Sequence, residues 1–112
     1  MATDFDAWRA VVVGVVGGLA DEASQRRSWF GIGTEISSPA EEFNYFFSDA
    51  AVDEFVEQAM LDDPTRLAGR YLVKLMRRLS SETPDDIDPA LMIDDPRWIE
   101  VRMAAADFLK LL

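Results

Sequence analysis

Between Arg27 and Arg66 the chain places nine carboxylates, Glu35, Glu41, Glu42, Asp49, Asp53, Glu54, Glu57, Asp62 and Asp63, and no Lys or Arg. Carboxylates can act as general acids and bases, but only where two of them converge in a pocket with perturbed titration. Spread along one surface, they instead present a field of one sign to a cationic partner, or simply keep the protein soluble. The same stretch carries Trp29, Phe30, Phe43, Tyr45, Phe46, Phe47 and Phe55. Disordered acidic segments are poor in aromatics because they cannot bury enough apolar area to offset chain entropy. The acids are therefore expected on a folded surface.

The rest of the composition narrows the chemistry. There is no histidine and no cysteine. That removes the commonest base near neutral pH, the commonest transition-metal ligand, thiolate catalysis, disulfides and structural zinc. Catalysis would have to run on carboxylates, Lys, Tyr or Ser, so the expectation is a protein that is not an enzyme and uses no cofactor. Asp85-Asp86-Ile87-Asp88 lacks the glycine and distal glutamate of a calcium loop, and Gly31 and Gly33 lack the residues of a phosphate loop, so no metal is expected. The net charge of −10 over 112 residues repels phosphate backbones and anionic membranes and attracts basic proteins. Asp4 and Asp6 precede the first base, unlike a secretory leader. The uncharged run Ala10 to Ala20 is eleven residues, against the about 20 a membrane span needs. A cytoplasmic protein is expected.

The elements that must position these residues read as helices. Trp8, Val11, Val12, Val15, Val16 and Leu19 recur at the spacing of one buried helical face within Asp4–Asp21. Val and Gly are poor helix formers, so a buried strand ending at Gly17 is the rival reading. Ala10, Gly14 and Gly18, four apart, would let another backbone approach. Ser24 to Ser37 reads as a connection. Ser38-Pro39-Ala40-Glu41 is a cap, first-turn proline and capping-box glutamate. The helix it opens points Phe43, Phe46 and Phe47 inward, and Glu41, Asn44 and Tyr45 outward. A second helix, from about Asp49 to Leu61, buries Val52, Phe55, Val56, Ala59 and Met60 and shows Asp53, Glu54 and Glu57.

Asp63-Pro64 starts the next helix, with Leu67, Tyr71, Leu72, Leu75, Met76 and Leu79 inward and Arg66, Arg70, Lys74 and Arg77 along the outer face. With acids crowding both sides of it, that basic stripe is expected to pair within the fold and not to grip nucleic acid. Ser80 to Asp88 reads as a loop, Asp88-Pro89 opens a short turn, and Asp95-Pro96 opens a last helix, apolar on most sides and central. The fold class is all-α, one domain over residues 1–112, built as a compact irregular bundle of five to six helices.

The stretch Trp29-Phe30-Gly31-Ile32-Gly33-Thr34-Glu35-Ile36-Ser37-Ser38-Pro39-Ala40-Glu41-Glu42, closing in Phe46-Phe47-Ser48-Asp49, resembles small helical immunity proteins of bacterial toxin systems, in particular those of contact-dependent growth inhibition. The resemblance implies a cytoplasmic, stoichiometric inhibitor of a cognate toxin, often a nuclease with a basic cleft, and no catalysis of its own. An acidic, preorganised face would compete for the cationic groups with which such a toxin holds phosphate. The residues expected to meet the partner are Glu41, Tyr45, Asp53, Glu54 and Glu57, followed by Glu35, Asp49 and Asp62. Tyr45 among carboxylates has the make-up of an aromatic anchor in a charged rim. The alternative is a homo-oligomeric helical adaptor that self-associates through the last helix and the Gly14/Gly18 line.

Overall fold

Polar caps set the helix starts. In the computed structural model, which describes residues 4–32 and 36–112, Asp21, Ser38, Asp62, Asp88 and Asp95 each accept a backbone N–H of the following turn. Four of those five helices have proline in the first turn, where its missing N–H costs nothing. The described residues form α1 (Asp4–Ala20), α2 (Glu22–Trp29), α3 (Pro39–Asn44) running into a π-helical turn (Tyr45–Asp49), α4 (Val52–Phe55), α5 (Asp63–Glu82), α6 (Pro89–Ile93) and α7 (Pro96–Leu111), with no strand among them. The fold is all-α, as expected. Seven α-helices replace the expected five or six because the connection over residues 22–29 is itself helical.

α7 wedges between α1 and α5 and is the central element. It buries Trp98, Val101, Ala104, Ala105 and Phe108, while Ile99 and Met103 remain exposed. α5 packs tightly at Gly69, where an added Cβ would lie 2.4 Å from Val56 Cγ1 and 3.0 Å from the Phe108 ring of α7. α1 contributes Val12, Val16 and Leu19 to the core. It is a helix throughout, so the strand alternative fails. Val11 is exposed, contrary to the expected face, because the buried arc centres on Val12 and Val16 and Val11 falls beside the open Gly14/Gly18 line.

Further corrections concern packing that distant residues create. Residues 22–29, expected as connection, form α2. Its buried positions are Gln25 and Trp29, one turn apart, and Gln25 is polar, which hides the helical stripe. Gln25 Nε2 donates to the Gly18 and Leu19 carbonyls, each at 2.9 Å, and Gln25 Oε1 accepts the Trp98 indole N–H at 3.0 Å. One buried amide thus ties α1, α2 and α7 together.

The helix expected over Asp49–Leu61 is not continuous. Ala50 N–H donates to the Tyr45 carbonyl at 2.9 Å, Ala51 takes the left-handed conformation with φ of 46°, and only Val52–Phe55 is α-helical beyond it. Arg66 accounts for the turns after Phe55. Its guanidinium donates to the carbonyls of Val56 (3.2 Å), Gln58 (2.7 Å) and Leu61 (3.1 Å), so these acceptors are satisfied without a helical ladder. Arg66 is therefore not on the outer face: its side chain is 19% exposed. Ala59 and Met60, expected inside, are exposed, Met60 to 61%. On α5 the buried arc runs through Gly69, Leu72, Met76 and Leu79, which leaves Leu67 and Tyr71 in solvent. Among the described residues no helix is long and apolar enough to cross a membrane.

Candidate functional site

α3 and its π turn carry the part of the acidic face that stays open. Ser38 accepts the Glu41 N–H at 3.2 Å, which fixes the first turn. Phe43 and Phe46 are buried and Phe47 is half-buried against them, as expected from their spacing. The opposite side therefore projects Glu41 and Tyr45. Tyr45 is 39% exposed and its hydroxyl donates to Glu41 Oε2 at 3.2 Å. The Trp8 indole N–H donates to the Ala50 carbonyl at 2.6 Å, pinning the end of the π turn to α1.

The phenol reports the local field. The negative charge of Glu41, then burial, the hydrogen bond to Glu41, and the charges of Glu42 and Asp49 all push the Tyr45 hydroxyl above its ordinary value. No described Lys or Arg forms an ion pair with Glu41, Glu42 or Asp49. Sequence reasoning passed over Glu42. It is buried at 9% exposure, and burial pushes its carboxyl above the usual range. The signal was available: Glu42 lies one turn before buried Phe46, on the inner side of the helix.

The other acids point elsewhere. Glu57 receives Arg70 in a two-armed contact, with Nε to Oε2 at 2.8 Å, which holds its carboxyl below the ordinary value. Arg77 Nη2 lies 3.5 Å from Asp53 Oδ2, and its guanidinium also sits 6.0 Å from the Phe47 ring centre. Asp62 is spent as the α5 cap, accepting the Thr65 N–H at 2.9 Å, and Thr65 lowers its pKa. Asp63 pairs with Arg66 at 3.2 Å. Glu54 is exposed and forms no ion pair with a described residue. Glu35 lies outside the described residues.

The single outward acidic face thus divides. Asp53 and Glu57 line a mixed-charge groove of about 570 Å³ with Arg70, Lys74, Arg77 and Arg78. Glu41, Tyr45 and Asp49 form a separate negative patch. The pairing of the α5 basic stripe within the fold agrees with the expectation. Among the described residues no cluster of three acids could hold a metal ion. No family model matches the chain, and no curated protein or solved structure is similar to it at a significant level.

Proposed function

We propose that the protein is a non-catalytic inhibitor that docks a basic protein, of the kind an immunity protein neutralises, through the patch around Tyr45. The observation that carries this reading is the uncompensated field there: an exposed aromatic held by one carboxylate and flanked by two more, with no ion pair from a described residue to any of the three. An aromatic anchor in a charged rim has the anatomy of an interface hot spot. The rigid seat matters equally, since a side chain already ordered loses little entropy on binding. Asp53 and Glu57, already neutralised by Arg77 and Arg70, contribute less long-range attraction. The resemblance of residues 29–49 to immunity proteins of growth-inhibition systems supports a toxin as the partner.

The test is inhibition at fixed stoichiometry. A toxin-like domain encoded beside this gene should lose its activity at one equivalent of the protein. Glu41→Lys/Asp49→Lys should relieve that inhibition while leaving helical circular dichroism unchanged. Full inhibition by the double variant would remove the patch from the account.

A further inference from the structure

Beside Tyr45, α1, α2 and α3 enclose a groove of about 520 Å³ walled by Gly14, Gly18, Ser24, Ser28, Glu42 and Tyr45. Its α1 wall is Val15 and the bare backbone of Gly14 and Gly18, and nothing lies within 4 Å of where a Cβ on either glycine would sit. Its buried carboxyl is Glu42, nine-tenths removed from solvent, whose one hydrogen bond from a described residue is a long 3.4 Å contact from the Ser37 hydroxyl. The indole N–H of Trp29, itself buried, is close enough to favour the charged form of Glu42 yet closes no well-formed hydrogen bond. A carboxylate has room for about four donors, and a buried one left with a single weak donor is costly. A cation carrying several N–H groups would complement that carboxyl.

A guanidinium meets that need better than an ammonium. It is planar, matches a carboxylate with two parallel N–H groups, sheds water more easily, and stacks on an aromatic face such as that of Tyr45. The carboxylates of Glu41 and Asp49 around Tyr45 draw a cation toward the mouth. We propose that this groove is a guanidinium pocket that receives an arginine side chain of the basic partner, Glu42 gripping its head and Tyr45 covering its stem. The identity of the donor rests on the docking reading above; the pocket itself does not.

An amide-resolved NMR titration with N-acetyl-arginine amide tests it. The Gly14 and Gly18 amides and the Trp29 indole N–H should shift together. Glu42→Gln should weaken binding about tenfold, the scale of one lost charge-assisted hydrogen bond. Gly14→Leu, a substitution into open space that also favours helix, should block the groove and abolish the shifts. N-acetyl-lysine amide should bind more weakly than the arginine derivative. Absence of shifts in the wild type, equal affinity in Glu42→Gln, or equal affinity for the lysine derivative overturns the proposal. Arginine-derivative binding in the groove, with inhibition unaffected by Glu41→Lys/Asp49→Lys, upholds the pocket and sinks the docking reading. Loss of inhibition in that variant, with no response to the arginine derivative, sinks the pocket alone.

Discussion

At the residue scale the decisive contrast is between neighbours. Glu41 and Glu42 are adjacent, yet one is in solvent beside Tyr45 and the other is buried under Ser37 and Trp29. A helix turns 100° per residue, so adjacent acids on α3 need not share an environment. For Glu42, burial raises the folded-state pKa above that of the unfolded chain. The folded state then holds a proton that the unfolded chain releases, and stability falls as pH rises from the ordinary carboxylate range through the raised value. Glutamine carries no such penalty. Urea unfolding of the wild type and Glu42→Gln should therefore give similar midpoints in acid, with the variant gaining toward neutral pH. The depressed carboxyls of Glu57, Asp62 and Asp95 give slopes of the opposite sign, but they are present in both proteins and cancel in the difference. A variant that loses stability toward neutral pH would mean that Glu42 is held charged by a partner within the fold.

At the scale of elements, what was legible in the sequence was local. Ser38-Pro39, Asp88-Pro89 and Asp95-Pro96 carry their cap and first-turn proline side by side, and each opens a helix where that chemistry places it. The long first helix, the body of the helix after Asp63-Pro64 and the outward Tyr45 also come from local signals, although that helix is capped by Asp62 and runs on through Glu82 into the stretch expected as loop from Ser80. The loss of helix after Phe55 does not, because its cause is Arg66, a side chain from the next helix that takes over the carbonyls of Val56, Gln58 and Leu61. Nor does α2, whose inner side depends on Gln25 finding Trp98 seventy-three residues away.

Three positions where a Cβ matters test this picture. Ala51 sits in the left-handed region at φ of 46°, so Ala51→Gly should raise stability by about 0.5 kcal/mol, the relief of strain less glycine's extra freedom in the unfolded chain. Gly69→Ala should lower it by about 2 kcal/mol despite better helix propensity, because the new methyl collides with Val56 and Phe108. Gly17→Ala, with nothing within 4 Å, should instead gain up to about 1 kcal/mol. Chemical denaturation of the three variants checks all of this. Equal effects of Gly69→Ala and Gly17→Ala would contradict the close α5–α7 approach.

At the scale of the whole molecule, the excess of negative charge is not spread evenly. The acids facing α5 are drawn into pairs with Arg70 and Arg77, and those near α7 with Arg26, Arg97 and Arg102, which reach Glu22, Glu82, Asp94 and Asp95. Composition revealed the acidic stretch but not this division, since which carboxylate meets which guanidinium depends on how α4 and α5 lie together. Around Tyr45 the field is left open, and the docking account stands on that asymmetry. The most direct measurement is the association rate with the basic partner that the docking account requires, monitored by stopped flow across a range of ionic strength. The wild-type rate should fall steeply with salt. Glu41→Lys/Asp49→Lys should slow association at low salt by about tenfold or more, whereas Asp53→Asn/Glu57→Gln should change it by no more than about twofold. A rate insensitive to salt, or one slowed as much by neutralising Asp53 and Glu57 as by reversing Glu41 and Asp49, would contradict the account.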